Sequence, residues 1–284
     1  MAEALSYCAA EVRRADYDRF LTVLFAPAAA REHLFALYAF NHEIARVRET
    51  VSEPMLGQVR LQWWREAIAR LYEAGIYGGP AREHAVVEAL AAAVAAARLP
   101  RAGFEALIDA REFDLAGRPP ETLAALEAYC EASSSQLLWL AAQLLGATDD
   151  ATRAKLRHLG IAWALTGLIR AIPFHARARR QYVPADIARE AGLSEDALFA
   201  LRPSAELRRA AAALAARAER HIEQARAAPP ADRAARSLTL FATLAHAYLR
   251  LLRRRGYDVM GRPTELAPWA KIVRLWWAAR TGKD

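Results

Sequence analysis

Hydrophobic positions recur at helical spacing along almost the whole chain. Apolar residues stand three and four positions apart in one segment after another, and short breakers separate these segments. Strand-like alternation of useful length is missing, and the segments do not repeat at a solenoid period. The pattern predicts helices over about residues 4–14, 16–24, 28–51, 54–74, 81–97, 101–116, 122–145, 150–172, 184–190, 195–199, 204–227, 231–255 and 267–279.

The predicted breaks lie at prolines and glycines, which do not continue a helix without cost. They fall at residues 27, 75–80, 100, 117–120, 146, 173, 192, 203, 229–230 and 256–263. No Gly/Ser-rich or long Pro-rich linker divides the chain, so we predict a single domain over residues 1–284. The fold class that follows is all-α, an orthogonal helical bundle. Several helices are long enough to cross it, which predicts a central cavity.

The charge balance favours an anionic partner without identifying one. The 284 residues carry a net charge of +7, and arginine greatly outnumbers lysine. Phosphate, lipid head groups, nucleic acid and acidic protein all fit that sign. Arginines on solvated helix faces explain the same composition, and this is the interpretation we prefer. No interleaved aromatic motif or known module supports nucleic-acid binding, so we predict no nucleic-acid partner.

The cysteines and the apolar segments bear on the compartment. Cys8 and Cys130 lack any CxxC or Cys/His ligand spacing, so they predict neither a disulfide framework nor a zinc site. The N-terminal sequence MAEALSYCAAEVRR does not resemble a signal peptide. No stretch approaches the roughly 18 unbroken apolar residues of a membrane span. We therefore expect a cytoplasmic protein that is soluble or peripheral to a membrane.

Three motifs carry a family resemblance. PAAAREHLFALYAFNH (27–42), LEAYCEASSSQLLWLAAQLLG (126–146) and LGIAWALTGLIRAIPFHARARRQYVPAD (159–186) resemble, in order and spacing, the signatures of the squalene/phytoene synthase family. The resemblance extends over nearly the whole chain. It implies the all-α isoprenoid synthase fold, a single bundle with a central cavity.

The resemblance also shows where this chain departs from the family. Family members join two prenyl diphosphates head to head, and Mg²⁺ bridges the diphosphate to aspartates on two facing helices. The first acidic cluster corresponds to Ala45, Arg46 and Glu49, and the second to Ala171 and His175. No DxxxD occurs anywhere in the chain. Alanine supplies no metal ligand and arginine repels Mg²⁺, so we predict no catalytic residues, no bound metal and no cofactor.

Basic and aromatic residues near these positions form a second candidate site. The resemblance would place them in the cavity, where they would bind a phosphate or a lipid head group without metal. We prefer the interpretation that the arginines pair with acids such as Glu43, Glu49 and Asp186. The two histidines of the region lack a second histidine at zinc-ligand spacing and are interpreted as noncatalytic. The candidate residues are His42, Arg46, Arg170, Arg177, Arg180 and Tyr182.

A narrower resemblance covers the departures themselves. FNHEIARVRETVSEPMLGQVRLQWWREAI (40–68) and Pro173-Phe174-His175 are similar to the phytoene-synthase-like branch that serves as an assembly factor for respiratory complex I. This resemblance implies a noncatalytic protein whose partner is a complex I subunit or another assembly protein. It also implies a peripheral position at the inner face of the respiratory membrane, with anionic or prenyl lipid as a further ligand. The alternative is an active prenyltransferase with an altered, Mg²⁺-dependent metal site. The oligomeric state stays open.

The C-terminal segment WAKIVRLWWAAR (269–280) is a third candidate. Trp269, Trp276 and Trp277 gather with Ile272 and Val273 on one side of the predicted helix. Lys271, Arg274 and Arg280 supply cations, a composition suited to a bilayer interface or a partner groove. Alternatively, the tryptophans complete the core. Trp63 and Trp64 are interpreted as core residues.

Overall fold

The computed structural model describes residues 5–73, 84–229, 231–261 and 263–282. This part of the chain is built from helices joined by short connections, and it contains no strand. The α-helices are α1 Tyr7–Ala15, α2 Tyr17–Val23, α3 Ala28–Ala45, α4 Pro54–Glu73, α5 Ala85–Ala97, α6 Arg101–Ala110, α7 Glu112–Leu115, α8 Leu123–Cys130, α9 Gln136–Leu144, α10 Asp150–Arg177, α11 Ala185–Ala191, α12 Glu195–Phe199, α13 Ala205–Ala227, α14 Arg236–Arg254 and α15 Pro268–Thr281.

Side-chain caps define many of the helix starts. Ser6, Thr122, Ser194 and Ser204 each accept a hydrogen bond from the backbone amide three residues later. Such caps satisfy an amide that lacks a partner within the helix, and each contributes on the order of 1 kcal/mol. Local sequence therefore decides where these four helices begin.

The chain divides into two compact units. The first contains Met1–Ala116, Gln136–Arg153 and Ala231–Leu238, and the second contains Gly117–Ser135, Ala154–Pro230 and Thr239–Asp284. Each unit combines segments that are distant in sequence. One domain over residues 1–284 stays a prediction.

In the first unit, α3 is the central helix. It packs against α1, α5 and α9, while α4 packs against α6. Phe40 of α3 meets Trp64 and Phe104 edge to face, with ring centroids 5.3 and 5.6 Å apart. All three side chains are buried. This aromatic cluster fixes α3, which carries the first of the two candidate metal motifs.

In the second unit, α10 carries much of the core. Trp163 lies against Phe241 of α14 with ring centroids 5.0 Å apart. Gly160 faces the π-helical turn Glu131–Ser135 that joins α8 to α9, where Ser135 Oγ donates to the carbonyl of Arg157. These contacts position the second candidate motif.

Two predicted helix ends are wrong at the candidate site. The segment expected to be helical to residue 51 leaves the α conformation after Ala45, and a 3-10 turn follows over Val47–Glu49. The break predicted at Pro173 does not occur, because α10 continues through this proline to Arg177. A proline removes one backbone amide donor from a helix. Here α10 extends only about one turn beyond Pro173, so little of the helix follows the missing hydrogen bond. The predicted break at 75–80 lies outside the described residues.

Candidate functional site

The first candidate metal motif lies at the end of α3. Ala45 is the last residue of the helix, Arg46 is its C-cap, and Glu49 belongs to the 3-10 turn beyond. Glu49 is exposed. The helix therefore ends before the position at which the motif's one remaining carboxylate stands.

Arg46 has acidic neighbours within the first unit. Its guanidinium lies 3.4 Å from a carboxylate oxygen of Glu43, and both side chains are partly exposed. The neighbouring His42 is half-buried, and burial lowers its pKa, with Glu43 opposing and Arg46 adding to the effect. Arg46 thus makes one of the predicted arginine–acid pairs, but no ion pair with Glu49 is found among the described residues.

The second candidate motif lies near the end of α10. Ala171 and His175 are four residues apart and share one side of the helix. Ala171 has no donor atom. The His175 ring lies on Tyr182, with centroids 4.6 Å apart. Burial, followed by the charge of Arg180, lowers the pKa of His175 to about 4, so the imidazole is neutral near pH 7.

These residues do not fit the family's Mg²⁺. The ion prefers hard oxygen ligands, and Ala45, Arg46, Ala171 and His175 supply none from their side chains. In the described parts of the chain, no group of three or more His, Cys, Asp or Glu side chains is arranged to hold a metal ion.

Arg170, the arginine retained from the family signature, is held by a cluster within the second unit. Its guanidinium lies 3.6 Å from the centroid of the Tyr248 ring. It donates to the Thr264 carbonyl at 3.0 Å and pairs with Glu265. Lys271 also reaches Glu265, at 3.2 Å. Arg170 thereby fixes the segment before α15.

Electrostatics agree with this role for Arg170. Burial alone would raise the pKa of Glu265, but Arg170 and Lys271 outweigh it and lower the pKa. The carboxylate is therefore ionised at neutral pH. The candidate arginines were expected to pair with acids such as Glu43, Glu49 and Asp186. Arg170 does pair with an acid, but it is Glu265, 95 residues further along the chain.

The other residues of the predicted anion site are distributed over both units. His42 and Arg46 belong to the first unit; Arg170, Arg177, Arg180 and Tyr182 belong to the second. Arg177 is exposed at the end of α10. Tyr182 lies between His175 and Tyr129, whose ring is 5.9 Å away.

Asp186 has a different role from the predicted one. Its carboxylate oxygens accept hydrogen bonds from the backbone amides of Leu123 and Ile187 at 3.0 and 2.7 Å. The acid therefore ties the start of α8 to α11 within the second unit. Among the described residues it pairs with no arginine, so that expectation was wrong.

The sequence does not reveal one partly buried chain of polar side chains in the second unit. His221 Nε2 lies 2.7 Å from Glu127, and His221 Nδ1 lies 3.1 Å from His158 Nδ1. Arg217 forms a second contact with Glu127 at 2.9 Å. Burial would raise the pKa of Glu127, but Arg217 and His221 lower it. No local signal reveals this chain, since Glu127 and His221 are 94 residues apart.

The C-terminal helix α15 turns its tryptophans outward. Trp269, Trp276 and Trp277 are 71, 52 and 61% exposed, and Ile272 and Val273 are exposed beside them. The alternative that these tryptophans complete the core is therefore wrong. Lys271 is buried against Glu265 and is not one of the surface cations. On α4, Trp64 is a core residue as predicted, whereas Trp63 is 40% exposed.

One described helix passes a length and hydropathy test for a membrane span. It is α10, and 56% of its apolar window is buried inside the protein. The core helix of a globular protein has the same properties.

Comparison with known proteins identifies the class. Residues 12–272 match the squalene/phytoene synthase family, so the chain belongs to this family. A dehydrosqualene synthase crystal structure superposes with a TM-score of 0.83, covering 98% of this chain and 95% of that one at 19% identity. The predicted all-α isoprenoid synthase fold is thus confirmed. The central cavity stays a prediction.

The chain is similar in sequence to two kinds of protein. The chain is 28% identical to "NADH dehydrogenase (ubiquinone) complex I, assembly factor 6" from Bos taurus, over 95% of this chain and 81% of the relative. It is 26% identical to "Presqualene diphosphate synthase" from Sinorhizobium fredii, over 90% of each chain. The resemblance to the assembly-factor branch is confirmed.

Proposed function

We propose that this protein is a noncatalytic member of the squalene/phytoene synthase family that supports the assembly of respiratory complex I. The observation that carries the proposal is the 28% identity to a complex I assembly factor over 95% of the chain. The residues at the metal positions support it, since Ala45, Arg46, Ala171 and His175 supply no carboxylate and the one that remains, Glu49, lies in the 3-10 turn beyond α3.

The proposed partner is a complex I subunit or another assembly protein. The proposed location is the inner face of the respiratory membrane, where the protein is peripheral. Two features support a surface role. Exposed apolar side chains lie on α15, and a second exposed group on α4 contains Met55, Leu56, Val59 and Trp63. Patches of this kind commonly mark interaction sites.

Deletion of the gene in its own organism tests the proposal. We expect assembled complex I, measured on native gels, and NADH oxidation by membranes to fall together, and a plasmid-borne copy to restore both. Isoprenoid products should stay at their normal levels. Intact complex I in the deletion strain, combined with loss of a squalene or carotenoid pool, would show that the proposal is wrong.

The second candidate is a prenyltransferase that condenses two prenyl diphosphates. The 26% identity to a presqualene diphosphate synthase over 90% of each chain favours it. We expect no product from labelled farnesyl or geranylgeranyl diphosphate with Mg²⁺, because, of the side chains at the metal positions, only Glu49 carries a carboxylate. Mg²⁺-dependent product above a heat-killed control would establish the enzyme instead.

A further inference from the structure

A basic pocket lies along α14 in the second unit. The helix presents Thr243, His246, Arg250 and Arg254 at successive positions three or four residues apart, so they form one stripe. Arg274 of α15 and Leu266 complete the walls. The pocket is open to solvent and has a volume of about 190 Å³. That volume is large enough for a phosphate group with part of its attached chain.

The lining of the pocket is positively charged. Its described lining contains three arginines and no carboxylate. Within the described chain, no ion pair joins Arg250, Arg254 or Arg274 to an acid, whereas Arg253 on the neighbouring face pairs with Glu219 at 2.6 Å. Arg274 donates one hydrogen bond to the Ala270 carbonyl at 2.9 Å. Guanidinium groups that line one opening without an acidic partner are suited to a phosphate oxyanion.

Two further groups in the lining support an anionic ligand. Thr243 Oγ1 is buried and has no hydrogen-bond partner in the described structure. A hydroxyl in this position is available to donate to an oxyanion. Burial, followed by the charges of Arg226 and Arg250, lowers the pKa of His246. Glu219 opposes the shift, so burial and the nearby arginines together outweigh its charge.

The residues around the pocket favour a lipid phosphate over a soluble phosphate as its ligand. Arg274, at the pocket wall, precedes Trp277 by three residues on α15, so the two are neighbours on the helix surface. The exposed face of α15 carries Trp269, Ile272, Val273, Trp276 and Trp277. Arg280 lies 5.6 Å from the Trp276 ring. Tryptophans with flanking arginines are typical of a helix that lies in the bilayer interface.

We propose that the α14–α15 pocket binds the phosphate group of an anionic phospholipid while the exposed face of α15 enters the bilayer interface. Arg250, Arg254 and Arg274 contact the phosphate, and the tryptophans bury their rings beside the acyl chains. The inference goes beyond the proposed function and does not depend on it, because it concerns the purified protein alone.

Flotation of the full chain with vesicles tests the site. One set contains phosphatidylglycerol in phosphatidylcholine and the other contains phosphatidylcholine alone. We expect binding to prefer the anionic set. The double variant R250Q/R254Q should bind about tenfold more weakly or worse. The control R189Q/R202Q removes the same charge from two exposed arginines outside the pocket, and it should stay within about twofold.

A variant that fills the pocket tests whether vesicle binding depends on the pocket itself or only on the overall positive charge. A247M places a larger side chain in the pocket lining and keeps every arginine. It should also weaken binding to anionic vesicles, by about fivefold, while circular dichroism confirms that each variant is folded.

Three outcomes would overturn the inference. The first is an absence of vesicle binding by the wild type. The second is an equal loss in R250Q/R254Q and R189Q/R202Q, which would indicate diffuse charge. The third is binding of inorganic phosphate or diphosphate that depends on Arg250 and Arg254 without any preference for anionic vesicles. That result would assign the pocket to a soluble ligand.

Discussion

At the residue scale, buried charges in this protein are held by partners from both neighbouring and distant sequence. In the first unit, Arg111 donates to Asn41 Oδ1 at 3.1 Å and lies 3.5 Å from Asp114. Asn41 and Asp114 are buried, and little of the Arg111 side chain is exposed. Asn41 directly precedes the candidate site residue His42, so this network anchors the site's helix.

The Arg111–Asp114 pair should be important for stability. We expect D114N to lower the free energy of unfolding by about 2–4 kcal/mol, because it removes the negative charge that lies 3.5 Å from a mostly buried guanidinium. D109N is the matched control. Asp109 pairs with Arg65 at the surface, 61% of its side chain is exposed, and Glu112 remains as a second partner for Arg65. That loss should stay below about 1 kcal/mol. Urea unfolding measures the stability of both variants. Equal losses in D114N and D109N would contradict the importance of the Arg111–Asp114 pair.

His175 should make stability depend on pH. Its folded pKa of about 4 lies below the unfolded value near 6.5, so the unfolded chain binds the proton first. The stability that the neutral His175 side chain contributes is therefore complete above pH 6.5 and is lost as the pH falls towards 4. Urea unfolding at pH 7 and 4.5 should show that H175F gains about 2–3 kcal/mol relative to wild type on acidification. A difference between the two proteins that does not change with pH would contradict this assignment.

At the element scale, close helix packing depends on a few small residues. Gly160 of α10 faces the backbone of the π-helical turn, and an added Cβ would stand 2.6 Å from Ser135 N. The backbone cannot move away as a flexible side chain would. Gly167, two turns later on the same helix, has no atom within 4 Å of the corresponding position. The two glycines therefore have different roles although both are helical.

Alanine substitutions should separate these two roles. G160A should destabilise the protein by about 1–3 kcal/mol, because the turn has to shift. G167A should be neutral or stabilise it by up to about 1 kcal/mol, since alanine favours the helix. Thermal unfolding of the two variants makes the comparison. A stabilising G160A would show that the α10 contact with the turn is looser than described.

At the scale of the whole molecule, the positive charge and the exposed apolar face of α15 would act together in the proposed contact with anionic lipid. The net charge is +7, and part of it converges on the α14–α15 pocket. Charge attraction between exposed groups is screened by salt, whereas insertion of apolar side chains is not. Membrane association of this protein should therefore have two separable components.

The tryptophans of α15 should supply the salt-resistant component. We expect W276A/W277A to retain weak binding to anionic vesicles in low salt and to lose nearly all of it in high salt. Wild type should keep a measurable fraction in both. W63A is the control, since Trp63 is exposed on α4, outside α15. Equal salt sensitivity of wild type and W276A/W277A would show that the tryptophans do not insert.

The sequence by itself determined the fold class and the family, and it predicted that most of the family's metal positions lack oxygen donors. Helical periodicity is a local property, and a family signature consists of residue types at fixed spacings. The absence of oxygen donors at Ala45, Arg46, Ala171 and His175 is equally readable, because side-chain chemistry is fixed by residue identity. The sequence did not predict the end of α3 at Ala45 or the continuation of α10 through Pro173, since local signals locate helix ends poorly.

Only the tertiary structure decided which groups meet and which faces stay outside. Arg170 pairs with Glu265 across 95 residues of sequence, and no local pattern relates the two. Periodicity shows that α15 has an apolar side but not whether that side packs inward. The structure buries Lys271 and exposes Trp269, Trp276 and Trp277. The physical reason is that burial depends on which surface the rest of the chain presents to a helix, and that surface is assembled from distant segments.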